Sequence, residues 1–126
     1  MTDQITIDHQ DVASGYLAVW NETDDDARAA LAEQVFVDAV SYVDPLLDVQ
    51  GRDALVQAIG AVQQQFAGWR FSPAGAVDGH HRLLRFGWEL GPAGQQPAPA
   101  VGFDVAIIGD DGRIEHVLGF LDRVPA

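Results

Sequence analysis

Three residues of this sequence carry side chains that could move a proton on a carbonyl compound: Tyr16, Asp44 and Asp104. Asp104 interrupts an otherwise uncharged run, V-G-F-D-V-A-I-I, where a carboxyl group is unexpected. Asp44 stands directly before Pro45, at the end of an alternating stretch. A carboxylate can accept a proton, and a phenol or a protonated carboxyl group can donate a hydrogen bond to an oxygen that gains charge. Together these groups would suit proton abstraction next to a carbonyl.

Each of these residues also fits an ordinary structural role. Asp44 fits a general base at the mouth of a pocket, and it fits a turn aspartate before a proline equally well. Tyr16 is either a hydrogen-bond donor or a core aromatic residue with its hydroxyl at the rim. We expect Asp104 to be buried, which would raise its pKa and favour the neutral acid. The alternative for Asp104 is a strand position that faces solvent.

The elements that must position these residues follow from the spacing of apolar side chains, which changes from a helical period to a strand period after Gly68. The connection Gly91 to Ala100, rich in glycine and proline, is a lid, a dimer contact or an extended surface loop. The predicted helices run from Asp8 to Trp20, from Thr23 or Asp24 to near Gln34, and from Arg52 to Phe66. The predicted strands are Phe36 to Asp44, Trp69 to Val77, His80 to Leu90, Ala100 to Gly109 and Arg113 to Val124, with a tight turn at Gly109 to Gly112.

Composition excludes several classes of function. The chain has 126 residues, 19 acidic against 7 basic side chains, a net charge of -12 and no cysteine. The negative charge repels phosphate backbones and anionic lipid, so we expect no nucleic-acid or membrane partner. The sequence has no phosphate-binding glycine loop and no nucleophile-elbow motif, and we expect no cofactor. Because no apolar leader or long apolar run is present, we expect a soluble, cytoplasmic protein.

The histidines do not form a metal-binding pattern. His80 and His81 are neighbours on a predicted strand, so their side chains point to opposite faces and cannot share a metal ion. We therefore expect no metal site. His80 shares its strand parity with two aromatic residues, which makes it a candidate titratable group in a pocket. The predicted pocket-lining residues are Trp20, Tyr42, Phe66, His80, Phe86, Trp88 and Phe120.

The order helix, helix, strand, helix and then four strands resembles the NTF2-like superfamily over nearly the whole chain. The segments that carry the resemblance are Y-V-D-P…G-R-D-A-L, from Tyr42 to Leu55, and G-R-I-E-H-V-L-G-F-L-D-R, from Gly112 to Arg123. The chain looks closest to the SnoaL-like branch, which includes polyketide cyclases. The resemblance implies one α+β domain over residues 1–126, a cone in which three N-terminal helices pack on a strongly curved antiparallel sheet around a pocket. It also implies a homodimer that forms through the sheet.

The similarity to ketosteroid isomerases, which share that fold, assigns a role to each candidate residue. Tyr16 matches their oxyanion tyrosine, Asp44 matches their base in an equivalent D-P pair, and Asp104 matches their neutral oxyanion acid. The resemblance thus implies a small hydrophobic ligand and a cofactor-independent isomerase or cyclase. The alternative is a non-catalytic ligand-binding or protein-association module, because this fold serves many functions.

Overall fold

Within the part of the chain that the structure describes, nine secondary-structure elements follow the predicted order, with one short strand added. The computed structural model describes residues 7–125. The helices are α1 (His9–Asn21), α2 (Asp25–Val35) and α3 (Arg52–Gln65). The strands are β1 (Phe36–Val43), β2 (Asp48–Gln50), β3 (Arg70–His80), β4 (Leu83–Gly91), β5 (Ala100–Ile108) and β6 (Ile114–Arg123).

Aspartate side chains start the first two helices. The Asp8 carboxylate accepts a hydrogen bond from the Asp11 amide at 3.1 Å, and the Asp24 carboxylate accepts one from the Ala27 amide at 2.8 Å. Both residues satisfy amide groups that have no partner inside the helix. Asp25 and Asp26 lie in the first turn of α2, where negative charge is favourable. The acidic run at the start of α2 therefore has a structural explanation.

The six strands form one sheet in the order β2-β1-β6-β5-β4-β3. The α+β class is confirmed, as is the antiparallel series from β3 to β6. The sheet is mixed, however, because β1 pairs with β6 in parallel. These two strands are far apart in sequence, so no hairpin fixes their relative direction.

The added strand, β2, follows a tight turn. The Asp44 amide donates to the Leu47 carbonyl at 2.8 Å, and the reversed chain then pairs with β1 from Val43↔Asp48 to Ser41↔Gln50. Three residues are too few to show a strand period, so the sequence alone gave no sign of β2. The turn places the Asp44 side chain beside the start of the reversed segment.

The core lies between the helices and the inner face of the sheet. Along β5, buried and half-buried residues alternate strictly, and Asp104 belongs to the buried set with Gly102 and Ala106. The expected burial of Asp104 is thus confirmed, with 2% of the residue exposed. α1 contributes five buried residues to the same core: Ala13, Tyr16, Leu17, Val19 and Trp20.

Candidate functional site

A cavity of about 580 Å³ opens between α1, α3 and the inner face of the sheet. Its wall is mainly apolar, with Leu17, Val62 and Phe71 among the lining residues. Charged side chains reach it at three positions: Asp44, Asp104 and Arg123. A largely apolar pocket with a few polar groups is typical of small-molecule sites.

Most of the predicted site residues line this cavity. Tyr16, Asp44 and Asp104 share it, although they come from α1, the end of β1 and the middle of β5. The predicted wall residues that also line it are Trp20, Tyr42, Phe66 and Trp88. Three predicted wall residues, His80, Phe86 and Phe120, do not line it.

His80 lies outside the cavity because its strand ends there. The sequence predicts one strand over residues 80–90. In the structure, the chain turns at His81, whose φ angle is 51°, and β4 starts only at Leu83. Strand parity cannot be carried across that turn, so the match between His80 and the aromatic residues of β4 was wrong. The His80 side chain is exposed.

Phe86 and Phe120 lie outside the cavity for different reasons. Phe86 is buried behind Tyr16, with their ring centroids 5.3 Å apart, so the tyrosine separates it from the cavity. Phe120 lies on the outer face of the sheet, with 57% of its surface exposed. A register irregularity between Ile107 and Ile108 of β5 shifts the parity of β6, so that Ile114 and Val117 both face inward.

Asp104 is the most deeply buried charged group of the cavity. Its Oδ2 atom accepts hydrogen bonds from the Tyr16 hydroxyl at 2.8 Å and from the Trp88 indole N–H at 3.1 Å. Its Oδ1 atom is buried and has no hydrogen-bond partner. Burial raises the pKa of Asp104 to about 6, with a smaller contribution from the Asp44 charge, while the bonds from Tyr16 and Trp88 act in the opposite direction.

Asp44 is held at the cavity wall by three donors. Its Oδ1 atom accepts from the Leu46 and Leu47 amides at 2.8 Å and 2.7 Å, and its Oδ2 atom accepts from the Tyr42 hydroxyl at 2.6 Å. Asp44 directly follows β1, which ends at Val43, and the turn places its side chain beside the Tyr42 hydroxyl. Asp44 is therefore a turn aspartate that also lines the cavity, so its structural role leaves its carboxylate at the site.

Gly119 leaves the space between the two carboxyl groups open. It faces Asp104 across the β5–β6 pairing, and a Cβ atom added at this glycine would lie 2.8 Å from Asp104 Oδ1 and 3.1 Å from Asp44 Cβ. Both acidic side chains thus converge on one point of the wall. Any larger residue at position 119 would occupy the gap between them.

The two tyrosines of the cavity stay protonated. Burial raises the pKa of Tyr16 well above its ordinary value, and the Asp104 charge raises it further. Burial likewise raises the pKa of Tyr42, with the Asp104 charge adding to the effect. Both hydroxyls are therefore protonated near neutral pH and act as hydrogen-bond donors there.

The mouth of the cavity contains residues that the sequence did not single out. Leu46 and Val124 are apolar but exposed, and Arg123 lies beside them. The Arg123 guanidinium donates to the Ala98 carbonyl at 3.0 Å, which ties the Gly91 to Ala100 loop to the end of β6. Leu46 directly follows the D-P pair, and Arg123 and Val124 end the last predicted strand, so only their place in the fold reveals them.

Among residues 7–125, no group of three or more histidine and acidic side chains is arranged to hold a metal ion. Among the helices described, none has the length and the apolar character to cross a bilayer.

Comparisons with known proteins agree on the fold. A crystal structure of a candidate isomerase of the SnoaL-like family from Agrobacterium tumefaciens matches with a TM-score of 0.86 and 40% identity, over 90% of this chain and 97% of that chain. A candidate SnoaL-like polyketide cyclase from Jannaschia sp. CCS1 matches with a TM-score of 0.70 and 12% identity, over 97% and 92% of the two chains. A SnoaL-like protein of unknown function from Burkholderia thailandensis matches with a TM-score of 0.71 and 13% identity, over 90% of this chain and 93% of that chain.

The fold and its wall of acidic and aromatic residues therefore place the chain in the NTF2-like class of α+β proteins. Within that class, the similarity to the Agrobacterium protein means that the chain belongs to the SnoaL-like family. No protein-family model and no curated protein matches the sequence.

Proposed function

We propose that this protein binds a small apolar carbonyl compound and acts on it as a cofactor-independent isomerase or cyclase, with Asp44 as the base. One observation carries the proposal: two carboxyl groups in different environments converge on one apolar cavity. Asp104 is buried with a raised pKa, whereas Asp44 is only partly buried and accepts three hydrogen bonds. Two acidic groups in contrasting environments are typical of an acid and a base that work together.

The hydrogen bonds of Asp44 suggest which of its oxygens takes the proton. Each carboxylate oxygen has two lone pairs, and both lone pairs of Oδ1 are directed at the Leu46 and Leu47 amides. The Oδ2 atom accepts only the Tyr42 hydroxyl, so one lone pair remains free. Asp44 Oδ2 is therefore the atom that we assign as the base.

Asp104 complements this base as a neutral acid. With a pKa of about 6, it can hold a proton near neutral pH more readily than an exposed carboxyl group can. Its Oδ2 atom already accepts two hydrogen bonds, so the proton belongs on Oδ1, which faces the gap over Gly119. From there it can donate to a carbonyl oxygen that gains negative charge.

The proposed step balances within the ligand and the enzyme. Asp44 Oδ2 takes a proton from the carbon next to the carbonyl, and the electrons of that C–H bond form the carbon–carbon double bond of an enolate. The enolate oxygen accepts the hydrogen bond from Asp104. In an isomerisation, the proton returns from Asp44 to another carbon. In an aldol cyclisation, the enolate carbon attacks a second carbonyl of the same molecule, the π electrons of that carbonyl move to its oxygen, and the alkoxide takes the proton from Asp44.

The Agrobacterium relative supports the chemistry, because it is described as a candidate isomerase and shares 40% of its aligned residues with this chain. The test is the conversion of a β,γ-unsaturated cyclic ketone to its conjugated isomer, followed by the absorbance of the conjugated product. We expect Asp44→Asn to lower kcat by about 10² to 10⁴. Asp48→Asn, which changes an exposed carboxylate outside the cavity, is the matched control. Equal turnover by Asp44→Asn and the wild type would remove Asp44 from the role of base.

The second candidate function is ligand binding without catalysis. It is favoured by the hydrogen bonding of Asp44, because a carboxylate that already accepts hydrogen bonds from three donors is a weaker base. Deuterium exchange at the carbon next to the carbonyl separates the two functions, because enolisation exchanges that hydrogen even when no product forms. A ketone that binds in the cavity but exchanges at the same rate as in buffer would support the non-catalytic function.

A further inference from the structure

We infer that the Trp20 indole N–H, and not the Tyr16 hydroxyl, is the second hydrogen-bond donor to the ligand oxygen, acting opposite Asp104 Oδ1. The inference rests on the proposed function and deepens it, because it also defines the group that the ligand must present. That group is a hydroxyl or carbonyl oxygen on an otherwise apolar molecule.

Two buried polar atoms, each in a residue that lines the cavity, have no partner in the described part of the protein. Among residues 7–125, the buried side-chain atoms without a hydrogen bond are Trp20 Nε1, Asp104 Oδ1 and Arg28 Nε. The first two belong to residues that line the cavity, and those residues are only 5% and 2% exposed. Leaving a buried polar group unpaired is unfavourable, so such atoms need an explanation. One donor and one acceptor on the same cavity wall match a ligand that supplies the complementary acceptor and donor.

The Tyr16 hydroxyl has already used its one proton. It donates that proton to Asp104 Oδ2 at 2.8 Å, and a phenol has no second hydrogen to offer. Trp88 is committed in the same way, because its indole N–H donates to the same oxygen at 3.1 Å. Of the two tryptophans that line the cavity, only Trp20 retains an unused N–H.

Trp20 and Asp104 both lie near the Tyr16 hydroxyl. Asp104 accepts its proton, and the Trp20 N–H is close enough to lower the pKa of Tyr16 slightly, although its geometry does not meet that of a hydrogen bond. The rings of Tyr16 and Trp20 have their centroids 6.2 Å apart. One ligand oxygen near the tyrosine can therefore approach both the indole N–H and Asp104.

The Trp20 indole N–H and Asp104 Oδ1 together suit a phenolic or enolic hydroxyl especially well. Its oxygen accepts from the Trp20 N–H, and its hydrogen is donated to the Asp104 carboxylate at Oδ1. A ketone oxygen can use the same place when Asp104 is protonated, because Oδ1 then becomes the donor. The aromatic and aliphatic wall accommodates the apolar remainder.

The test compares 2-naphthol with naphthalene, which has the same apolar rings and no hydroxyl. At pH 8, we expect the wild type to bind 2-naphthol more tightly than naphthalene, and Trp20→Phe to weaken only 2-naphthol, by about three- to tenfold. Tyr16→Phe should keep the preference for 2-naphthol. Trp20→Phe retains an aromatic ring against its neighbours, and thermal unfolding of each variant checks that it is folded.

A second readout uses the intact protein and does not depend on a variant's stability. In spectra of ¹⁵N-labelled wild type, 2-naphthol should move the Trp20 indole proton downfield, whereas naphthalene should not. The Trp20 signal is identified by its absence from the Trp20→Phe spectrum. The inference is overturned if Tyr16→Phe abolishes the preference while Trp20→Phe keeps it, or if the Trp20 signal responds equally to both probes. Either result leaves the proposed function standing, whereas failure of both probes to bind would contradict the proposed function as well.

Discussion

Asp104 occupies a strand position at which an apolar side chain would cost less to bury. Hydrogen bonds from Tyr16 and Trp88 offset the cost of burying Oδ2 of Asp104, but its Oδ1 atom has no hydrogen-bond partner within the described part of the chain. The groups that face this carboxyl are Tyr16 from α1, Tyr42 from β1, Asp44 from the turn after β1, and Trp88 from β4. Because burial outweighs the two hydrogen bonds, the folded protein favours the protonated form of Asp104.

The raised pKa predicts a specific dependence of stability on pH. Between pH 3.8 and about 6, Asp104 binds more protons in the folded protein than in the unfolded chain, so its ionisation destabilises the fold as the pH rises through that interval. Asp104→Asn keeps the shape and removes the titration. We expect the free energy of unfolding of the wild type, relative to Asp104→Asn, to fall by about 2 kcal/mol between pH 4 and pH 6.5 in urea titrations.

A control for this prediction is Asp78→Asn, which changes an exposed carboxylate at the far end of β3. Its stability relative to the wild type should vary little over the same pH range, because exposed ion pairs contribute little. A constant difference between the wild type and Asp104→Asn at every pH would contradict the assignment of a raised pKa to Asp104.

At the level of the elements, the end of α1 is fixed by a network from the other two helices. Arg28 of α2 donates to the Glu22 carbonyl at 3.0 Å and to Gln63 Oε1 at 2.8 Å. Gln63 of α3 donates in turn to the carbonyls of Trp20 and Glu22, both at 2.8 Å. Gly60 permits this approach, because a Cβ atom there would lie 2.8 Å from Arg28 Nη2. The network holds the helix turn that carries Trp20.

We predict that Gln63→Ala destabilises the protein by about 1–3 kcal/mol, because the Trp20 carbonyl and one Arg28 N–H lose their partner, while the Glu22 carbonyl keeps only its bond from Arg28. Gln64→Ala is the matched control, since Gln64 is the next residue of the same helix and is exposed. Its unfolding free energy should stay within about 0.5 kcal/mol of the wild type. Chemical denaturation measures both variants, and equal stability of the two would show that the network does not matter to the fold.

For the whole molecule, the outer face of the sheet is the main exposed apolar surface. Leu118 and Phe120 on β6 are 43% and 57% exposed, and Val43 on β1 pairs beside Leu118 with 46% exposure. Phe103 and Val105 of β5 continue the same face next to them. A chain with a net charge of -12 repels a second copy of itself, so we expect association to use an apolar patch such as this one.

We propose that two copies of the chain pair through this outer face as a homodimer. Sedimentation velocity should give a dimer for the wild type and a monomer for Phe120→Glu, because the introduced charge would meet its symmetry mate near the centre of the interface. Gln64→Glu adds the same charge on the exposed side of α3 and should remain dimeric. A monomeric wild type at all concentrations tested would exclude the proposal.

The sequence by itself determined the order of the elements, the three helices and the chemical types of the cavity residues. Apolar spacing is a local property, so α1, α3 and the alternation of β5 could be predicted from their own residues. The tight turn at Gly109 to Gly112 is confirmed for the same reason, with the Gly109 amide bonded to the Arg113 carbonyl at 2.8 Å. Local patterns also identified Asp104 as an unusual residue within a strand.

Only the tertiary structure decided which of these residues meet. The irregular register of β6 and the turn at His81 moved Phe120 and His80 out of the cavity, because both change strand parity without leaving a mark in the apolar pattern. The partners of Tyr16 and Asp44 depend on packing between distant segments, and the unused Trp20 N–H becomes apparent only when every neighbouring donor and acceptor is counted. Contacts between distant residues determine the site, and those contacts exist only in the folded chain.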